Sequence, residues 1–214
     1  MDFQNPILTV DVVLLTLAEG QLQVALMPRT EPPFAGRAML PGGYVHGDPA
    51  TGKVDKSTTH AALRILQHKL GFTPRHLEQV YTESGPSRDP RGWSASVIHL
   101  ALHEPATLAP LVAAGRVTLH PVHPQPQLPP LAFDHRHLIE LALGRLRAKA
   151  TYSTLLAHLL PPVFRPLTRV IHEGIDTDAI RPGRAEPFTL PDGRTIQTGG
   201  AQDSPTQQAA GGAR

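Results

Sequence analysis

Three clusters of side chains in this chain decide what chemistry it could do on a phosphorylated ligand. The first is Ser87-Arg88-Asp89-Pro90-Arg91-Gly92-Trp93. Arginine meets phosphate through a planar fork of donors, and an indole can stack on a base. Arg88, Asp89, Arg91 and Trp93 therefore form a candidate nucleotide-binding turn. The same residues also suit a tight turn held by an Arg–Asp pair with Trp93 in the core, and the residues alone leave both readings open. The second cluster is Leu40-Pro41-Gly42-Gly43-Tyr44-Val45, whose paired glycines allow another group to approach the backbone closely. The third is Arg64-Ile65-Leu66-Gln67-His68-Lys69-Leu70-Gly71-Phe72, in which positions 65, 68 and 69 share one side of a helix. Carboxylates there would hold Mg²⁺ or Mn²⁺, which prefer hard oxygen ligands. The chain instead has Ile65, which cannot ligate, His68, which is one imidazole, and Lys69, which is a cation.

The elements that must position these clusters are legible as patterns. Leu8–Leu17 is a buried strand rich in Val, Leu and Thr, and Leu22–Met27 is its hairpin partner across Glu19-Gly20-Gln21. Glu31–Gly36 is a loop, and Ala38–Val45 becomes a short strand. His46–Thr58 is a polar loop. Ser57 or Thr58 caps a helix reaching Leu70, with Ala62, Ile65, Leu66 and Leu70 as its apolar stripe and Gly71 just past its end. Glu78–Thr82 and Ser94–Leu102 are two more strands. A second helix starts at Asp134 as cap and ends near Lys149, burying Leu138, Ala142 and Leu146. The order implies an α+β fold with helices on a mixed sheet. His120–Pro130, with five prolines in eleven residues, reads as a covered loop inside that domain.

Composition narrows the function classes. The 214 residues, 40% of them hydrophobic, suffice for one sizeable domain or a domain with a small module. Twenty basic against eighteen acidic residues give a net charge of +2, a weak whole-molecule field for nucleic acid. With no cysteine, disulfides, thiolate metal sites and cysteine nucleophiles are excluded. The first residues have neither a basic start nor a long apolar run, and no stretch approaches the roughly 20 apolar residues of a membrane span. The expectation is a soluble, cytoplasmic protein with no membrane partner.

The glycine and helix clusters together resemble a Nudix box whose acidic residues are gone. That family's signature places a glutamate after the glycine and three more around Arg64 and before Gly71. Here Gly43, Arg64, Leu66, Gly71 and Phe72 keep the frame, while Lys56 stands near the first glutamate and Ile65, His68 and Lys69 replace the others. Arg64 stands 21 positions after Gly43, farther than in the signature, so the box carries an insertion within His46–Thr58. The insertion reads as a tolerated surface loop, or as the source of a replacement carboxylate in Asp48 or Asp55. Without a glutamate to orient, Arg64 holds the helix against the loop. The resemblance implies a Nudix α/β/α sandwich with a mixed sheet over residues 1–149 and the loss of the usual metal-dependent cleavage of diphosphates.

The run Leu77-Glu78-Gln79, the arginine turn and Leu131-Ala132-Phe133-Asp134-His135 are similar to one Nudix branch: the ADP-ribose pyrophosphatase-like proteins and the Nudix-related transcriptional regulators of NAD metabolism. The resemblance implies that Gly42, Gly43, Arg88, Asp89, Arg91 and Trp93 contact or shape an ADP-ribose-like nucleotide. It implies a homodimer, operator DNA as a partner, and a winged-helix-like module over residues 150–197; the composition of the end of the chain, nearly free of large apolar residues, implies a disordered tail over 198–214. Helices over Tyr152–Leu160 and Phe164–Gly174 and a hairpin over Glu186–Ile196 fit that module. Ile175–Arg184, where a basic recognition helix belongs, is short, acidic and broken by Pro182-Gly183, so the module is truncated relative to the family. Arg145, Arg147, Lys149, Arg165 and Arg169 are the candidate DNA contacts; the first three also suit a helix C-terminus. No cofactor is expected, with Mg²⁺ or Mn²⁺ needed only by a hydrolase. The leading reading is a non-hydrolytic nucleotide sensor that regulates transcription. The alternatives are a hydrolase with a metal site rebuilt from Asp48, Asp55, Glu78 or Glu83, and a nucleotide-binding protein without DNA binding.

Overall fold

The computed structural model describes residues 5–150 and two short strands at 188–189 and 195–196. The first strand, β1 (Ile7–Ala18), is buried without interruption from Val10 to Thr16, as its apolar run demands of a strand covered on both faces. It turns through Glu19 and Gly20, both at positive φ, into β2 (Gln21–Pro28). Two central residues at positive φ are what a two-residue hairpin needs. Next come β3 (Ala38–Met39) and β4 (Gly42–Tyr44), and β4 pairs antiparallel with β1 so that Gly42 faces Asp11. A small separate hairpin, β5 (Gly47–Asp48) and β6 (Lys53–Val54), lies in the insertion.

Helix α1 (Thr58–Leu70) follows, with Ser57 as its N-cap, the Ser57 hydroxyl accepting from the His60 N–H, and Gly71 ending it at φ 84°. Strand β7 (His76–Gly85) pairs antiparallel with β8 (Ser94–Leu102), and β8 runs parallel to β1. The main sheet runs β3-β2-β1-β8-β7, with β4 added to β1 and β9 (Thr118–His123) added to β2. Helices α1 and α2 (Pro105–Ala113) share a core of Val10, Val12, Leu14, Leu66 and Leu108 on one face. Helix α3 (His135–Ala150) covers the other, burying Leu138, Ile139, Ala142 and Leu146 on Val13, Leu15 and Leu100. The α/β/α sandwich with a mixed sheet is therefore as expected.

Two elements depart from the sequence reading. Helix α2 is not anticipated because Pro110 inside it reads as a breaker, although Pro105 at its start is compatible with a helix. The span His120–Pro130 is not a loop throughout, since His120–His123 belong to β9. Pro121 is accommodated where the β2–β9 register shifts, at a bulge. The chain divides into two units: residues 5–150 lie in the first, and the antiparallel hairpin β10 (Phe188–Thr189) and β11 (Thr195–Ile196) lies in the second. The pairing of those strands agrees with the hairpin expected over Glu186–Ile196; its turn falls outside the described residues. The two expected helices of the C-terminal module, Arg165, Arg169 and the 198–214 tail fall outside the described residues.

Candidate nucleotide-binding cleft

A cleft of about 390 Å³ opens where β1, β4, α1, the arginine turn and the entry to α3 meet. Its floor begins at Asp11, the one charged residue of the buried β1 run and only 7% exposed. Asp11 Oδ2 accepts a 2.6 Å hydrogen bond from the Ser96 hydroxyl. His135 Nε2 lies 3.5 Å from Oδ1 and an Arg88 nitrogen 4.0 Å from Oδ2. The Leu40 N–H donates to His135 Nδ1 at 3.0 Å, which leaves the proton of the neutral ring on Nε2, toward Asp11. Burial lowers the pKa of His135, keeping it neutral. A Cβ at Gly42 would stand 2.1 Å from Asp11 Oδ1, so the missing side chain of Gly42 makes room first for this carboxylate. At Gly43 the nearest atom to a Cβ is Ile65 Cδ1, at 3.4 Å.

The arginine turn combines both readings that the sequence left open. Arg91 is paired with Asp89 through Nε and Nη2 (2.6 Å to Oδ2), as a turn-holding ion pair would be, and it also lines the cleft. Its Nη1 donates to the Tyr44 hydroxyl at 2.5 Å. Hydrogen bonds from Arg91 hold the Asp89 carboxyl below its ordinary range despite burial. Arg88, nearly buried, forks onto Asp134 at 2.9 and 3.0 Å and donates to the Ser94 hydroxyl at 3.1 Å. The hydrogen bonds of the Asp134 carboxylate thus go to Arg88 and not to the first turn of α3, where a cap was expected. Trp93 is neither in the core nor in the cleft: it is 49% exposed and lines a second hollow with Pro6 and Ile7.

The box residues separate by role. Arg64 donates to both oxygens of Asp55, at 2.8 and 2.6 Å, and to the Tyr44 carbonyl at 3.0 Å, so it ties α1 to the inserted loop. Asp55 also accepts from the His46 N–H and meets His60 Nδ1 at 3.1 Å. Those donors, Arg64 foremost, hold its carboxyl well below the usual carboxylate range. Ile65, His68 and Lys69 line the cleft, while Lys56 is exposed and does not. Lys69 Nζ donates to the Gly42 carbonyl at 2.6 Å.

A hard-metal site does not fit this donor set. Asp48 caps the short turn after β5, Glu78 pairs with Arg145 and Lys149, and Glu83 pairs with His137. With Asp55 held by Arg64, each carboxylate offered for a rebuilt site is engaged elsewhere. Among the described residues no three His, Asp or Glu side chains gather in a metal-holding group. Arg145 and Lys149, candidate DNA contacts, bind Glu78 of β7; Arg147 is exposed. Among the lining residues that sequence reasoning did not assign to the site are Asp11, Arg29, Tyr44, Phe133 and His135. Arg29 lies over the Phe133 ring at 4.8 Å and Arg91 at 5.5 Å. The conspicuous signal was Asp11, a lone carboxylate in an apolar strand.

No family model matches the chain. The crystal structure of Shewanella oneidensis NrtR is 37% identical to it, over 81% of each chain, with a TM-score of 0.68. The chain belongs to the NrtR family of Nudix-fold proteins. A further structure of the Shewanella NrtR is a complex with a 27mer DNA. Its NUDIX domain, solved with ADP ribose, is 35% identical over 67% of this chain and 90% of that one, with a TM-score of 0.51. The ADPR responsive transcriptional repressor NtrR of Acinetobacter baylyi is 33% identical over 163 residues, 76% of this chain. The chain spans 63% of that curated repressor's length. Within the NrtR family, then, this chain keeps the fold and carries Ile65, His68 and Lys69 in the lining of its cleft.

Proposed function

We propose that this protein is a non-hydrolytic sensor of an ADP-ribose-like nucleotide that regulates transcription. The observation that carries the reading is the cleft itself: five permanent cations line it (Arg29, Arg64, Lys69, Arg88 and Arg91), and no carboxylate cluster holds a metal among the described residues. Such a site can bind a diphosphate and lacks the means to generate a metal-bound nucleophile. The ligand identity is supported by the NrtR domain solved with ADP ribose, and the DNA partner by the NrtR complex with a 27mer.

In this reading residues 1–149 bind the nucleotide and residues 150–197 contact operator DNA in the cytoplasm, as a homodimer presenting two such modules. Within the cleft, Arg91 donates to the Tyr44 hydroxyl and lies over the Phe133 ring, and Gly42, Gly43 and α1 side chains complete the lining. Arg88 joins the cleft to Asp134 in front of α3, which gives occupancy a route to the chain beyond Ala150. The ligand changes DNA affinity only as far as it binds one state better than the other. No membrane role is assigned; no described helix is long and apolar enough to cross a bilayer.

The test is three measurements on the full chain: calorimetric binding of ADP-ribose, release of AMP from it with Mg²⁺ or Mn²⁺, and a gel shift on promoter DNA with and without the nucleotide. Binding without turnover, together with a nucleotide-dependent shift, is expected. Metal-dependent AMP release would refute the non-hydrolytic reading, and a shift indifferent to nucleotide would refute the sensor.

A further inference from the structure

Each permanent cation around the cleft has a partner except in one respect. Arg64 is neutralised by Asp55, Arg88 by Asp134 and Arg91 by Asp89. Arg29 has no carboxylate, but its fork is spent on its own loop: Nε on the Pro33 carbonyl, Nη2 on the Pro32 carbonyl at 3.2 Å and Nη1 toward Met39 Sδ at 3.7 Å. Lys69 differs from all four. Among the described residues no carboxylate stands within ion-pair distance of it, and its one hydrogen bond goes to the Gly42 carbonyl. An ammonium carries three donors, so two remain for a ligand in the cleft.

We infer that Lys69 is the resident cation of this cleft, taking by covalent attachment the place that a dissociable divalent metal would fill against the diphosphate of the bound nucleotide. The inference rests on the nucleotide-sensor reading above. Lys69 is well placed for the role. Its stem leaves α1 among the cleft residues, the Gly42 carbonyl fixes Nζ at the cleft floor, and Asp11 lies close enough to stabilise its charge. Partial burial disfavours that charge and Arg29 opposes it too, so an incoming anion relieves a cost already present in the empty protein. A point charge of this kind binds phosphate oxygens without demanding bidentate geometry. The consequence is that nucleotide affinity is independent of divalent metal.

The experiment is calorimetric titration of the full chain with ADP-ribose, in EDTA and in Mg²⁺, for wild type, Lys69→Met, Lys69→Gln and Lys69→Arg. Wild-type affinity should agree within about twofold between the two buffers. Lys69→Met and Lys69→Gln should weaken it by about ten- to a hundredfold in both buffers, the loss expected for charge-assisted hydrogen bonds. Lys69→Arg, which keeps the charge, should fall between. Thermal midpoints of the Met and Gln variants should not drop, since a poorly solvated charge has been removed; this separates lost binding from lost folding. Wild-type affinity in either neutral variant, or a wild type that loses binding in EDTA, would overturn the inference. A wild type that binds no ADP-ribose in either buffer would instead overturn the broader sensor reading.

Discussion

Gly42→Ala should be among the most damaging single-methyl additions in the first unit, and Gly43→Ala among the mildest, although the two glycines are adjacent and sit in the same short strand. A Cβ at Gly42 would stand 2.1 Å from Asp11 Oδ1 and 2.9 Å from the Val10 carbonyl oxygen. The second atom is backbone of the central strand and cannot yield. The first belongs to a buried carboxylate already held by Ser96 and faced by His135 and Arg88. Overpacking of this kind costs roughly 1–3 kcal/mol, and displacing a charge-assisted hydrogen bond costs about 1.5–3 kcal/mol more. The expected loss is about 3–5 kcal/mol, which in a domain of this size lowers Tm by about 10 °C. At Gly43 the added methyl meets only Ile65 Cδ1 at 3.4 Å, an ordinary contact. The change there should stay within about 0.5 kcal/mol.

Urea unfolding midpoints of the two variants measure the difference directly. A cycle with Asp11→Ser isolates its cause, because shortening the carboxylate should recover about 1–3 kcal/mol of the Gly42→Ala penalty. Equal midpoints for the two alanine variants would refute the close approach of β4 to β1. A Gly42→Ala penalty unchanged in the Asp11→Ser background would place the clash on the Val10 backbone and remove Asp11 from the explanation.

Three further outcomes follow from the same geometry. Arg91→Ala should weaken ADP-ribose binding by about tenfold in calorimetry and should also lower Tm, because it leaves the buried Asp89 carboxylate without its ion-pair partner; unchanged affinity would make the turn purely structural. Asp134→Asn removes the carboxylate from the Arg88 fork without altering a cleft-lining residue, so ADP-ribose should still bind while its effect in the gel shift is blunted, and a wild-type response would sever α3 from the signalling route. Burial holds His99, His103 and His135 neutral with lowered pKa values. Their contribution to stability is therefore present above the unfolded value of about 6.5 and is lost as pH falls toward the folded values, each group adding a slope of up to about 1.4 kcal/mol per pH unit. His99→Leu removes one such group, whose Nε2 has no hydrogen-bond partner among the described residues, and should flatten the decline; an unaltered slope would exclude His99 from it.

What the sequence disclosed and what it withheld divide along the distance between cause and effect. Ser57, the Ala62–Leu70 stripe and Gly71 define α1 through contacts within a few residues, so the helix and both ends were readable. The β1–β2 hairpin was readable for the same reason: two residues at its turn set the register. Helix α2 and strand β9 carry prolines that a local reading takes as breaks, and only the bulge opposite Leu22 and Gln23 shows how Pro121 is accommodated. In the site, Arg88, Arg91, Gly42 and Gly43 were visible as types and spacings. Their partners were not, because Asp134 lies 46 positions from Arg88 and Ser96 lies 85 from Asp11. Trp93 had the chemistry of a stacking group, but the paired ends of β1 and β8 carry it to a different hollow.

Electrostatic balance ties the missing glutamates to the insertion. An arginine on a partly buried helix face needs a carboxylate, and in an intact Nudix box the adjacent glutamates are available to it. Here the helix has none, and Asp55 from the inserted loop meets Arg64 through two hydrogen bonds while its side chain is 1% exposed. The loop therefore supplies what the helix lost for folding, and because that oxygen pair is fully engaged it supplies nothing for a metal. Arg88 and Arg91 are balanced in the same way by Asp134 and Asp89. A cleft organised like this has its other structural charges cancelled locally, so among the described residues the field that an incoming diphosphate meets comes from the two cations without a carboxylate partner, Arg29 and Lys69, and only one of them keeps donors free. That cation is Lys69, at a position where the metal enzymes of the superfamily carry a negative charge.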